Sequence, residues 1–199
     1  RPDNLYVSLV DKVHKNRLII PFINESGVIE FYQTRSVLNR DNKTKPKYLG
    51  KVQAEKTLFN IDKVTNDHDK VYIFEGPINA FFTKNSIAVA GITERGRSFT
   101  DRQEQQFNST LKWFDKVWIL DSQWIDQASL IKSEALLKQN EKVFIWPEKF
   151  GKRFKDFNDI AIAAEIDEIR WKFIEKNTFE GLEGIVKLSE IKKFRNLTT

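Results

Sequence analysis

An α/β fold with a mainly parallel sheet is predicted for the middle of this 199-residue chain. Short apolar runs alternate with helical stretches from Lys70 to Trp146, and parallel strands need crossover helices that then cover the sheet on both faces. Two of the runs, 71–74 and 117–120, end abruptly in a carboxylate, Glu75 and Asp121. The carboxyl ends of parallel strands are where open α/β sheets place their chemistry.

The elements follow in order. Residues 17–23 and 28–34 read as a hairpin around the Asn-Glu-Ser-Gly turn at 24–27, because apolar, β-branched runs flank a glycine-containing turn. The second strand alternates in character, so one of its faces is expected to be wet. Residues 35–51 carry Arg35, Arg40, Lys43, Lys45, Lys47 and Lys51 around Pro46 and Tyr48, and read as an ordered surface loop or ridge. After strand 71–74 a helix opens near Pro77, whose missing N–H has no partner in a first turn anyway. Strand 86–90, helix 100–114, strand 117–120, helix 125–139 and strand 143–146 complete the alternation. Beyond Pro147 the chain reads as helical, at 156–165, 167–175 and 188–195. The expected division is a basic α+β subdomain at 1–69, the α/β unit at 70–164 and a helical C-terminal segment at 165–199. The five Trp residues read as core, and His14 and His68 as surface residues.

Composition narrows the function. With no Cys, neither a disulfide nor a thiolate zinc site can form within this span. No apolar run approaches bilayer length and no secretion signal is present, which accords with a cytoplasmic protein. A net charge of +5 favours a polyanionic partner. The absence of Met and the Arg-Pro-Asp start read as a piece of a longer protein.

The chemistry-bearing residues fall in three acidic clusters: Glu75 before Gly76-Pro77, Asp121 before Ser122-Gln123, and Asp156 and Asp159 in Lys-Asp-Phe-Asn-Asp. Each acid alone reads as a helix cap. Three acidic strand ends in one alternating unit point instead to a hard cation, and a sparse carboxylate set suits Mg²⁺, which keeps waters and takes substrate phosphate oxygens, better than zinc. In the basic ridge a tyrosine ring among cations offers a single strand both stacking and phosphate contact. Arg95 and Arg97, in a Gly91–Gly96 loop without the P-loop ending, are candidate phosphate contacts.

The order hairpin, Lys45-Pro46-Lys47-Tyr48-Leu49, Glu75-Gly76-Pro77-Ile78-Asn79, Leu120-Asp121, Lys155-Asp156-Phe157-Asn158-Asp159 resembles the RNA-polymerase core of DnaG-type primases, in particular those of T-even-like tailed phages. The resemblance spans about residues 17–164. It implies a TOPRIM domain preceded by a smaller basic subdomain, with a zinc-binding module upstream of the fragment. It implies Mg²⁺ or Mn²⁺ at Glu75, Asp121, Asp156 and Asp159, with Glu75 as acid/base or metal-organising group. Lys45, Lys47, Tyr48 and Arg35 inherit contacts to template or nucleotide phosphates, and Lys56 is a loosely aligned candidate for a catalytic lysine. The implied partners are single-stranded DNA, ribonucleoside triphosphates and a replicative helicase in the host cytoplasm.

Two positions depart from the family pattern: Asn79 and Gln123 stand where acids are expected. Both retain an amide oxygen able to ligate but supply no charge, which weakens affinity for a hard cation. Three readings follow: a primase core making primers on DNA; a catalytically degenerate TOPRIM module that binds nucleic acid as a replication scaffold; and a TOPRIM nuclease, which leaves the Lys-Pro-Lys-Tyr run unexplained.

Overall fold

The computed structural model describes residues 4–37, 46–91 and 99–196. In chain order the elements are β1 (Tyr6–Ser8), β2 (Arg17–Ile23), β3 (Ile29–Ser36), β4 (Tyr48–Gly50), β5 (Lys70–Phe74), α1 (Pro77–Ala80), β6 (Ser86–Ala88), α2 (Asp101–Asn108), β7 (Asp115–Ile119), α3 (Gln127–Lys138), β8 (Lys142–Phe144), α4 (Glu148–Gly151), α5 (Phe157–Ala164), α6 (Trp171–Lys176), β9 (Thr178–Phe179) and α7 (Gly181–Phe194). They form two sheets, ordered β1-β2-β3-β4 and β6-β5-β7-β8-β9. The first is antiparallel. The second is parallel except for β9, which runs antiparallel to β8.

The β2–β3 hairpin forms where its turn chemistry demands. The Asn24 side chain accepts from the amides of Ser26 and Val28, and Gly27 takes a φ of 79° that only glycine adopts without strain. The ridge at 35–51 is not all loop: Tyr48 pairs with Arg35 and Leu49 with Thr34, adding β4 to the sheet edge.

The parallel sheet separates two apolar layers by the period-two alternation of its strands. Tyr72, Phe74, Val117, Ile119, Phe144 and Trp146 face one layer, shared with Ile20, Phe22 and Phe31 of the antiparallel sheet and with Phe157 and Ile160 of α5. Val71, Ile73, Trp118, Leu120, Val143 and Ile145 face the other, with Phe107 of α2, Leu130, Leu136 and Leu137 of α3, and Leu188 and Ile191 of α7. The two sheets therefore meet through a common apolar core, and this contact sets the distance between the basic hairpin region and the acidic strand ends.

Three expectations need correction. The segment at 165–199 is not purely helical, since β9 extends the parallel sheet. Its last helix packs closely on α3: a Cβ on Gly184 would fall 2.3 Å from Leu137 Cδ2, closer than any real contact. Helix α2 stops at Asn108 rather than near 114, because Ser109 leaves helical geometry. Trp113, expected in the core, is 84% exposed with the Lys112 ammonium over its ring, and Trp171 is half exposed. Trp118 and Trp146 are buried as expected.

Candidate functional site

Strand β5 delivers Glu75 to the carboxyl edge of the sheet, and the chain turns at once through extended Gly76 into Pro77 at the start of α1. Strand β7, its parallel neighbour, delivers Asp121 to the same edge one residue after Leu120. The loop carrying Asp121 is pinned to the third acidic cluster, since the Ser122 amide donates to the Lys155 carbonyl at 2.7 Å. The Ser122 hydroxyl donates to the Gly151 carbonyl at 2.7 Å. Asp156 then caps α5 by accepting from the Asp159 amide, and Asp159 accepts from the Lys155 amide at 3.0 Å.

These elements meet the antiparallel sheet across a cleft of about 510 Å³. One wall carries Glu75, Asn79, Asp121, Asp156 and Asp159; the other carries Gln33, Arg35, Lys47 and Tyr48. The fold thus brings together residues from three clusters and the basic ridge that are far apart in sequence. Arg35 donates to the Tyr48 hydroxyl at 3.0 Å and lies over its ring, as does Lys47. Burial pushes the Tyr48 hydroxyl up, opposed by Arg35 and reinforced by Asp156 and Asp121, so the tyrosine senses the acids across the gap.

The acids are electrostatically strained. Burial first, then repulsion from Asp156 and from Glu75, pushes Asp121 up to about 6, against the pull of Lys155. Burial likewise raises Asp156, offset in part by its bond to the Asp159 amide. Lys155 is raised in turn, chiefly by Asp121; its ammonium stands 3.5 Å from Asp121 on a half-exposed side chain. Glu75 differs: the Lys132 ammonium lies 3.1 Å from both of its carboxylate oxygens.

Other expected residues fall elsewhere. Gln123 does not face the cleft. It is fully buried, its amide NH₂ donates to Ser133 Oγ and the Phe144 carbonyl, and its oxygen accepts from the Trp146 amide. Its place as a degenerate metal position is therefore withdrawn: every polar atom of the side chain is spent joining β7, β8 and α3. Asn79 does line the cleft, with its oxygen accepting from the Asn158 amide at 3.2 Å. Lys56 is exposed and donates to the Ala90 carbonyl; Ala90 lines the cleft, but Lys56 does not. Lys45, Arg95 and Arg97 lie outside the described residues.

Two residues escaped the sequence reading. Lys132 belongs to the buried stripe Ser129, Lys132, Ser133, Leu136 of α3, an i, i+3, i+4, i+7 set; a lysine on such a stripe signals a buried counter-charge. Arg17 is 2% exposed and donates to the Thr34 hydroxyl and to the carbonyls of Thr34, Pro46 and Lys47. It ties the start of β4 to β3 and so sets the position of Lys47 and Tyr48. Arg17→Leu is expected to cost about 3 kcal/mol, because several bonds to a charged donor are lost and buried carbonyls are stranded. Urea unfolding measures it.

A divalent cation fits the donor set here. Asp121 and Asp156 supply hard oxygens whose ionisation burial and mutual repulsion oppose, and a cation would relieve that opposition. Among the described residues no three or more His, Asp or Glu side chains converge closely enough to hold a metal unaided, so water and substrate oxygens would complete the shell, as Mg²⁺ prefers. Among the described residues no helix is long and apolar enough to cross a membrane.

Comparison with known proteins points to the family that the motif order suggests. No family model matches the chain. The DNA primase of Enterobacteria phage T4 is 27% identical over 185 residues, covering 92% of this chain and 49% of that protein. The chain thus spans about half the length of this curated relative. The zinc-binding and RNA polymerase domains of Aquifex aeolicus primase superpose with a TM-score of 0.60 at 18% identity, covering 96% of this chain and 49% of that one. The RNA polymerase domain of Mycobacterium tuberculosis primase DnaG, solved with a double-stranded DNA bearing a 6-nucleotide overhang, gives 0.53 at 14% identity, covering 91% and 53%. At these identities the solved structures speak for the fold. In sequence and in fold, the chain resembles the RNA-polymerase core of DnaG-type DNA primases, with the phage T4 enzyme as a relative.

Proposed function

We propose that the chain is the catalytic core of a phage-type DNA primase, joining ribonucleotides on a single-stranded DNA template. The observation that carries this reading is the cleft itself, whose acidic wall at Asp121 and Asp156 faces a basic and aromatic wall at Arg35, Lys47 and Tyr48. Phosphates of template and incoming nucleotide bind to Lys47 and Arg35, and the Tyr48 ring offers a base or sugar a stacking surface. The domain reading follows: residues 1–69 supply the basic wall, a TOPRIM unit at 70–164 the acidic one, and 165–199 braces the latter through β9 and α7.

Asp121 and Asp156 would hold Mg²⁺ or Mn²⁺, with Asp159 fixing the loop before α5. When bound, the cation stabilises charge on the attacking primer 3′-oxygen and on the departing pyrophosphate. The chain's own residues do the rest. Lys47 and Arg35 orient the triphosphate, the Ser122 and Asp159 bonds hold both carboxylates at one edge, and the apolar contact between the sheets keeps the walls apposed. A replicative helicase and the host cytoplasm complete the setting proposed for such a core.

A second reading, a degenerate TOPRIM module that binds nucleic acid as a scaffold, is favoured by one observation: Asn79, on the cleft wall, is neutral and already hydrogen-bonded to the Asn158 amide. Single-strand binding measured against salt and against Mg²⁺ separates the two. The primase reading expects salt-sensitive binding that Lys47→Ala weakens about 5- to 10-fold, a loss of about 1–1.4 kcal/mol for a phosphate contact. It also expects saturable Mg²⁺ association. Salt-sensitive binding with no Mg²⁺ association supports the scaffold.

A further inference from the structure

Lys132 does not line the cleft, but it sets a positive charge against Glu75, which does. It projects from the buried stripe of α3, its side chain is 9% exposed, and its ammonium is shared equally by the two oxygens of Glu75 at 3.1 Å. A cation entering the cleft therefore meets two kinds of carboxylate. The charge of Glu75 is already matched by an ammonium that the packing of α3 against the sheet holds in place. Asp121 and Asp156 are countered more loosely: the half-exposed Lys155 side chain reaches Asp121 at 3.5 Å and is shared with Asp126 at 3.9 Å, and Arg35 offsets Asp156 from the opposite wall.

From this asymmetry we infer that Lys132 acts as a fixed internal cation that withdraws Glu75 from metal binding, so that the cleft takes a single divalent ion on the Asp121–Asp156 side. Lys132 is thus a positioning residue: it touches neither the metal nor the nucleotide, and it holds Glu75 as one half of an ion pair on the cleft wall. The two neutral amides point the same way. Asn79 is engaged with the Asn158 amide and Gln123 is turned into the core, so neither offers the Glu75 side of the cleft a further charge with which a second ion could be held. The inference rests on the metal-dependent reading above.

Mn²⁺ titration, followed by the electron paramagnetic resonance signal of the free ion, tests it on the whole chain and four variants. The wild-type chain is expected to bind one Mn²⁺. Glu75→Gln should change its dissociation constant less than twofold, whereas Asp121→Asn should weaken it at least 20-fold. Lys132→Met should free Glu75 and either add a second ion or tighten binding at least fivefold, while Lys132→Arg keeps wild-type behaviour. Should Lys132→Met fail to fold, the Glu75→Gln result decides alone. Two ions in the wild type, a loss in Glu75→Gln equal to that in Asp121→Asn, or unchanged binding in folded Lys132→Met overturns the inference while leaving the metal reading intact. No saturable Mn²⁺ binding in the wild type overturns both.

Discussion

Gln123→Asp is expected to destabilise the fold by about 4 kcal/mol, although it installs the acid that the family pattern has at this position. The Gln123 side chain is wholly buried and donates to Ser133 Oγ at 2.9 Å and to the Phe144 carbonyl at 3.0 Å. A carboxylate has no proton for either acceptor, and it is one methylene too short to keep the bond to the Trp146 amide at 3.1 Å. An unpaired charge and two stranded acceptors are left in the core. Asn79→Asp is expected to cost far less, about 1 kcal/mol: Asn79 lines the cleft and already accepts from the Asn158 amide, a bond a carboxylate keeps, so only added repulsion from the neighbouring acids opposes it. Urea unfolding of both variants separates them. Equal stabilities would mean that Gln123 is not locked in the core as described.

The second large effect concerns Asp121. Its carboxyl is raised from 3.8 to about 6 by burial and by repulsion from Asp156 and Glu75. Between those two values the folded chain keeps a proton that the unfolded chain has released, so stability falls as pH rises from about 4 to about 6. A shift of this size corresponds to about 3 kcal/mol, and because Asp121 and Asp156 repel each other the titration belongs to the pair. Asp121→Asn is therefore expected to raise stability at neutral pH by about 2 kcal/mol and to flatten the profile across that window. On the proposed primase reading the same change should lower turnover by about 10²-fold or more, since that reading makes Asp121 a charge-stabilising group at the reacting centre. Denaturant unfolding between pH 4 and pH 8 checks the first expectation. A variant less stable than the wild type at neutral pH, in the absence of metal, would remove the argument that these acids are held together against their own repulsion.

A trade of stability for charge proximity is common at functional sites, and the placement of the acids at one sheet edge was partly legible in the sequence. Strands β5 and β7 announce themselves because four consecutive residues of each are apolar or aromatic, and the acid that follows breaks the run. Their parallel pairing through Phe74 and Ile119 brings Glu75 and Asp121 to the same edge of the sheet, where both line the cleft. The hairpin was legible because its turn carries asparagine and glycine.

What the sequence concealed has physical causes. Strand β9 has two residues, too few for any periodicity to register. Strand β4 has three and is cationic at its approaches, so its pairing depends on Arg17, a long-range tether that no local pattern encodes. The inward turn of Gln123 lies past the end of β7, where the alternation that assigns faces within a strand no longer applies. Trp113 illustrates the converse error: a large aromatic is usually buried, yet it follows the early end of α2 and lies on the surface. Lys132 was within reach, since the spacing of Ser129, Ser133 and Leu136 marks its face as buried; a lysine there is easily mistaken for part of a solvated helix surface.

The direct test of the central claim is extension of a pre-annealed RNA primer on a DNA template with labelled ribonucleoside triphosphates and Mg²⁺ or Mn²⁺. Pre-annealing removes any need for initiation functions elsewhere in a longer protein. The account predicts template-complementary extension by the wild-type chain, reduced by Lys47→Ala and lost in Asp121→Asn, which remains folded. No extension with either metal, by a chain that binds the primed template in a salt-sensitive manner, would contradict it.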